Sequence, residues 1–179
     1  GLARKHMTKL AALADVLIGN EEDAHDVFGI SAADSSIESG KINSKGYIDV
    51  AEKLSAAFPK ARRIAITLRE SHSADFNGWG AMLYDVPNRK AHFAPLAADG
   101  TYRPYEIRNI VDRIGGGDSF SAGLIYALNT EKWSEAGKAI SYAVAASCLK
   151  HTIYGDYNDV TVSEVEALAG GNASGRVSR

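Results

Sequence analysis

Short apolar runs alternating with amphipathic helical stretches predict an α/β fold with a doubly wound, mostly parallel sheet. Three observations carry this expectation. Val16-Leu17-Ile18 and Ile64-Ala65-Ile66 are runs of strand formers, short enough for buried strands. Between them, residues 47–58 repeat apolar side chains at helical spacing, so strand, helix and strand follow one another. Further on, Ile110-Val111 reads as a strand end that meets three consecutive glycines and then an apolar helical pattern through Leu128.

Residues 3–14 are expected to form a helix, with Leu2, Met7, Leu10 and Leu13 on one side. Residues 15–18 follow as a strand ending at Gly19. Asn20 then caps a helix whose first turn carries Glu21, Glu22 and Asp23, acids that the positive end of a helix favours. Gly29-Ile30-Ser31 closes it. Residues 31–46 are rich in Ser, Gly, Asp and Asn without periodicity and are expected as a surface loop. In 47–58, Ile48, Ala51, Leu54 and Phe58 share a face, and Pro59 stops the helix. Residues 62–68 read as a strand buried on both faces. Residues 79–86 and 90–94, joined through Pro87-Asn88-Arg89, are expected to pair as an antiparallel hairpin, and 105–108 alternates as a further strand. Residues 133–150 are expected as one long helix, on which Ala139, Ala143, Ala146 and Ser147 form a small-residue stripe suited to close packing. Thr161 or Ser163 caps a last helix to Leu168, and 171–179 is expected as a mobile tail.

Composition narrows the function classes. The chain has 179 residues and 45% hydrophobic content, enough for one core, so a single domain is expected. Its 20 basic and 22 acidic side chains, net charge -2, form no basic stripe, which argues against nucleic acid or an anionic membrane as partner. A small molecule is the expected partner. Cys148 is the single cysteine, which excludes an internal disulfide and fits a cytoplasmic protein. The five histidines show no zinc spacing, and no apolar run approaches the ~20 residues of a membrane span.

The chemistry-bearing stretch is the glycine turn. Gly115, Gly116 and Gly117 can adopt backbone angles closed to other residues, so their amides can converge beside the first turn of a helix, where an anion is favoured. Asp118 follows directly. Two readings of it stand on the residues: an N-cap for the helix, or a carboxylate placed to take a proton from a hydroxyl that attacks a phosphoryl group. The cluster at 20–23 likewise reads either as a helix cap or as oxygen ligands for a divalent cation. No Gly-Lys-Ser/Thr sequence follows a glycine loop, which disfavours a P-loop kinase.

The segment from Asp112 to Gly123, D-R-I-G-G-G-D-S-F-S-A-G, resembles the second signature of the PfkB (ribokinase-like) carbohydrate kinases. With G-N-E-E-D-A at 19–24, I-T-L-R-E-S at 66–71, K-H-T-I-Y-G-D at 150–156 and the tail S-G-R-V-S-R, the chain is similar within that family to bacterial 2-keto-3-deoxygluconate kinases over nearly all its length. The resemblance implies a ribokinase-like three-layer sheet, present here as the C-terminal, nucleotide-binding part of one domain, without the N-terminal strands and the lid over the sugar. It implies ATP and Mg²⁺ as cofactors and a sugar acid as substrate, with any homo-oligomer formed through the lid. Asp118 then corresponds to the catalytic base and Gly115–Gly117 to the cradle for the transferring phosphate. Asn20, Thr67 and Arg69 fall at nucleotide-contacting positions, although the family has Gly where Arg69 stands. Ala143 and Ser147 belong to the stripe that walls the adenine pocket. Glu22 and Asp23 fall where the family's N-x-x-E holds Mg²⁺. From the residues alone, Arg108 reads either as a contact to an acidic sugar or as surface charge. The activity implied is phosphorylation of 2-keto-3-deoxygluconate at its 6-hydroxyl. The alternatives are another PfkB kinase, for ribose, fructose or a nucleoside, and a nucleotide-binding fragment without turnover.

Arg113 stands where much of the family has Thr or Ser, in the turn that forms a monovalent-cation site in ribokinases. Activity is therefore expected to be the same with and without K⁺, as measured by initial rates in K⁺ and in a bulky organic-cation buffer.

Overall fold

The structure, a computed structural model, describes residues 1–32 and 44–171. Most of the expected loop at 31–46 and nearly all of the expected tail at 171–179 lie outside the described residues. Strands β1 (Val16–Gly19), β2 (Arg63–Ser71), β3 (Phe76–Asp85) and β4 (Lys90–Ala94) lie in that order in one sheet, and β5 (Tyr105–Arg108) also pairs with β3. Helices are α1 (Leu2–Ala11), α2 (Glu21–Asp23, running on as a π-helical turn over Ala24–Phe28), α3 (Ser44–Ala57), α4 (Gly116–Leu128), α5 (Ala136–Lys150) and α6 (Val162–Ala169). The fold is α/β, with helices flanking the sheet, as the alternation of patterns predicts. Two compact units divide it: residues 1–68 with 81–92, and residues 69–80 with those from 93 onward.

In the first unit β1 and β2 are parallel, with Val16 opposite Arg63 and Gly19 opposite Ile66. A crossover through α3 makes this pairing. Ala51 and Leu54 of α3, together with Phe58, Ile64, Ile66 and Leu68, are buried, so the apolar spacing read from the sequence is the packed face. The β3–β4 turn is held by Asp85, which accepts from Arg63 Nη1 at 3.0 Å and from Asn88 Nδ2 at 2.9 Å. The first helix departs from expectation. It ends at Ala11, and Leu2, Met7, Leu10 and Leu13 are all exposed, leaving only Ala11 of α1 buried.

In the second unit α4 and α5 pack together, and the approach is close because of glycine. A Cβ added to Gly123 would lie 3.0 Å from Ala146 Cβ and 3.2 Å from Ala143 Cα. Phe120, Leu124, Ala127, Ile140 and Val144 are buried at or near this contact. Helix α5 begins at Ala136, three residues later than the periodicity suggests, because 131–133 forms a separate 3₁₀ turn with buried Trp133. Helix α6 is capped by Thr161, with a reciprocal bond from Thr161 N to the Glu164 carboxylate at 2.8 Å.

Two strand boundaries differ from the sequence reading for tertiary reasons. The strand expected at 79–86 starts earlier, at Phe76, because β5 supplies a partner there and pairs Asn77 with Ile107 and Gly78 with Glu106. Gly78 is tolerated in the strand because Glu70 lies against it: a Cβ there would sit 2.9 Å from Glu70 Oε2. Conversely, Ile110-Val111 is not a strand. Asn109 has φ 56°, and Val111 N donates instead to the carbonyl of His151 at 2.9 Å.

Ser147 is fully buried; its hydroxyl accepts from Trp79 Nε1 at 2.8 Å. Ser147→Ala should lower stability by about 1–3 kcal/mol, since the indole N–H then has no acceptor. Denaturant midpoints of the two proteins measure this.

Candidate active site

The glycine turn enters α4 through Gly115, which has φ 77° and ψ 2° and is itself the N-cap. A side chain is excluded here twice over: the backbone is left-handed, and a Cβ would fall 2.1 Å from the carbonyl oxygen of Asp156. Gly116 is buried beside the His151 ring, whereas Gly117 has open space above it. Gly116 N donates to Arg113 O at 3.3 Å and Ser119 N to Gly115 O at 2.9 Å. The amides of Gly117 and Asp118 have no acceptor among the described residues, as the first turn of a helix dictates.

Asp118 lies in the first turn of α4 and is exposed. Its carboxylate has no hydrogen-bond or ion-pair partner among the described residues. The capping alternative is thereby disfavoured, because the N-cap position belongs to Gly115 and no side chain caps this helix. Asp118 faces a cleft of about 390 Å³ bounded by α4, α5, α6 and the 156–162 segment. Apolar and aromatic groups dominate its walls, among them Tyr126, Tyr142, Ala146 and Val165, with Asp156 and Asn158 as polar members. The Tyr126 and Tyr142 rings stack with centroids 5.2 Å apart. The small-residue stripe therefore serves two purposes. Ala146 borders the cleft, but Ala143 and Ser147, expected at the adenine wall, are fully buried under α4 and beside Trp79 and are not among its lining residues.

Asp112, three residues before the glycine turn, holds it in place. Its Oδ1 accepts from Ile114 N at 3.0 Å and its Oδ2 from Gly155 N at 2.9 Å. Those amides hold its carboxyl below the usual carboxylate range, with Lys150 contributing less. Lys150 is fully buried and donates to Ile153 O at 3.0 Å. His151 is buried too, with Nδ1 2.7 Å from Ser147 O and its ring 4.9 Å from that of Trp79. A neutral imidazole must carry its proton on Nδ1 to bond a carbonyl. Sequence reading passed over 150–156 as mere resemblance; the clue within it is Gly155, a residue free to take the left-handed φ of 78° with which its amide meets Asp112.

Of the other expected site residues, Arg69 is exposed on β2. Arg108 is exposed, pairs with Glu106 at 3.0 Å and lies 4.3 Å over the Phe76 ring, a local surface arrangement away from the cleft's lining residues. In the first unit, Asn20 follows Gly19 as Thr67 follows Ile66, and Gly19 and Ile66 are paired, so both stand at the carboxyl end of the parallel pair, the edge where open α/β sheets bind ligands. Asn20 and Asp23 cap each other: Asp23 N donates to Asn20 Oδ1 at 2.8 Å and Asn20 N to Asp23 Oδ2 at 2.9 Å. Glu22 is exposed. Among the described residues no group of three or more His, Cys, Asp or Glu side chains is placed to hold a metal ion. Nor is any helix there long and apolar enough to cross a membrane.

The sequence matches no protein-family model and no curated protein. Comparison with solved structures does define a class: the chain's structural neighbours are PfkB-family carbohydrate kinases, and its α/β fold matches theirs. One is the 2-dehydro-3-deoxygluconokinase of Thermotoga maritima, 39% identical, aligned over 95% of this chain and 45% of that one with a TM-score of 0.79. A PfkB family carbohydrate kinase from Listeria grayi, 22% identical, aligns over 94% of this chain and 45% of its own at a TM-score of 0.75. A Vibrio cholerae fructokinase, solved with fructose, ADP and calcium ion, is 20% identical over 92% of this chain and 44% of its own, at a TM-score of 0.59. The last two show the fold alone. The chain spans less than half the length of these neighbours.

His151 supplies a test of the packing beneath the turn. Burial, partly offset by its bond to Ser147, lowers its pKa from the ordinary 6.5, with Lys150, Arg113 and Arg69 acting in the same direction as burial. The unfolded chain therefore binds this proton at higher pH than the native one, so stability is present above pH 6.5 and falls as pH drops from there toward the native pKa. Melting temperatures followed from pH 7 downward should show this loss, and His151→Gln should flatten it.

Proposed function

We propose that this chain is the nucleotide-binding part of an ATP-dependent sugar kinase that phosphorylates 2-keto-3-deoxygluconate at its 6-hydroxyl. One observation supports the reading above the others: unbonded amides at Gly117 and Asp118 sit beside an unpartnered, exposed carboxylate at the mouth of an aromatic and aliphatic cleft. Identity of 39% with a 2-dehydro-3-deoxygluconokinase supports the sugar-acid substrate.

In this reading the base and ribose of ATP occupy the cleft beside Ala146, Tyr126 and Tyr142, and its phosphates reach the glycine turn. Gly115 sets the path of the chain, and the amides that follow it donate to oxygens of the transferring phosphoryl group. Their preorganisation matters because they are already aimed, with no dipoles to reorient during the reaction. Asp118 accepts the proton of the attacking hydroxyl. A carboxylate is a far weaker base than an alkoxide, so it cannot deprotonate an alcohol before attack. In a loose phosphoryl-transfer transition state the nucleophile needs little activation, and the proton leaves late. Most of the acceleration then comes from positioning and charge stabilisation.

The residues at 20–23 suit a water-rich Mg²⁺. Asp23 Oδ1 and the Glu22 carboxylate have no partner among the described residues, while Asp23 Oδ2 remains committed to the cap. Mg²⁺ is usually held by one or two carboxylates, the rest of its shell being water and phosphate. Bound there, it would neutralise charge on the phosphates. Thr67 and Arg69 are proposed as nucleotide contacts on the sequence resemblance alone, and Arg108 meets the sugar acid only if it leaves Glu106.

Calorimetry with ATP and with the sugar acid separates a complete kinase, which binds both, from a module that binds nucleotide alone. Asp118→Asn should cut turnover by about two to four orders of magnitude, the usual contribution of general-base catalysis, while ATP affinity stays nearly unchanged. Near-normal turnover in that variant would remove Asp118 from the mechanism.

A further inference from the structure

Arg113, marked in the sequence only as a departure from a small residue, has a distinct bonding pattern. Its Nη2 donates to the carbonyls of Ser73, at 3.1 Å, and Ala74, and approaches Asn77 Oδ1 at 3.4 Å. All three acceptors belong to the turn between β2 and β3 or to the first residues of β3. The same turn is tied once more, by Ile110 N donating to Asp75 O at 3.1 Å. Within the turn, Ser73 Oγ donates to Asp75 Oδ1 at 2.6 Å, so it is a shaped segment that can bear a load.

The choice of acceptors is informative. Asn77 is fully buried, and among the described residues its Nδ2 has no hydrogen-bond partner. A buried amide left with an idle donor costs free energy, and its Oδ1 is met by the guanidinium. The carboxylate of the preceding residue, Asp112, binds the amides of Ile114 and Gly155. Adjacent residues of opposite charge thus fasten the approach to the glycine turn to two different loops. The carboxylate takes amide donors, and the guanidinium takes carbonyl acceptors.

We propose that Arg113 is a positioning residue for the phosphate-accepting turn: by binding the β2–β3 turn it fixes the segment that delivers Gly115–Asp118. This rests on the kinase reading for its purpose, but not for its physical content. All three oxygens are met by the one nitrogen, Nη2, at the end of the long arginine side chain, and the ammonium of a lysine, on a shorter stem, reaches them only in part.

Hydrogen exchange on the full chain, with Arg113→Ala and Arg113→Lys beside the parent, tests the inference without reference to activity. Peptides covering 113–119 should exchange faster in the alanine variant and to an intermediate degree in the lysine variant, while α5 and α6 keep their protection. Millimolar guanidinium should restore protection in the alanine variant, which general destabilisation would not allow. By calorimetry, ATP affinity should fall about tenfold in the alanine variant, the equivalent of one charge-assisted hydrogen bond. Unchanged exchange at 113–119, or a loss spread equally over α5 and α6 with no response to guanidinium, overturns the proposal. If the parent chain binds no ATP while local exchange responds as expected, the kinase reading fails and the positioning role stands.

Discussion

A single steric fact governs the second unit: no atom can be placed at Cβ of residue 115. The carbonyl of Asp156 occupies that space, and the left-handed backbone of Gly115 permits the approach. From this contact follow the direction in which α4 starts, the exposure of the amides behind it and the meeting of the 151–158 segment with the helix start. Asp112 completes the junction by bonding to amides on both of its sides. The turn is therefore held by backbone groups and charged side chains, not by an apolar core, which leaves its outer surface free for an anion.

The two halves of the proposed chemistry are built on different principles. At 20–23 the helix start satisfies its own amides through a reciprocal bond between Asn20 and Asp23. At 115–118 the helix start has no side-chain cap, and the amides of Gly117 and Asp118 have no acceptor among the described residues. Capping stabilises a helix by about 0.5–2 kcal/mol, so its omission at α4 is a stability cost at one place where a ligand could supply the missing acceptors. A filled cap suits a cation-holding segment, and an empty one suits phosphate.

Close helix packing gives the cleft its shape. Gly123 and Ala143 let α4 and α5 approach until the helices nearly touch, and Ala146 at the rim leaves room that a larger residue would fill. The aromatic pair Tyr126 and Tyr142 closes one side. The same stripe of small residues is thus a packing device along most of its length and a cleft wall at one position. The partners differ along it: Ala143 and Ala146 both meet Gly123, Ser147 is bonded to Trp79, and of the three only Ala146 also borders the cleft.

Much of this was readable from residue order. Periodicity in 47–58 and 116–128, the apolar run at 64–66 and the triple glycine determined the helices, the parallel pair and the glycine turn, because those signals depend on local backbone preference and on alternation of burial. The Asp118 position follows as well, since three glycines before an apolar helix leave the next residue in its first turn. Tertiary structure alone decided that the strand expected from residue 79 begins at Phe76, that Ile110-Val111 is not strand, that the apolar side of α1 is exposed, and that Arg113 grips a turn nearly forty residues earlier. Each of those depends on a partner distant in sequence, a strand edge, a carbonyl or a buried amide. Local propensity carries no record of such a partner until the chain has folded.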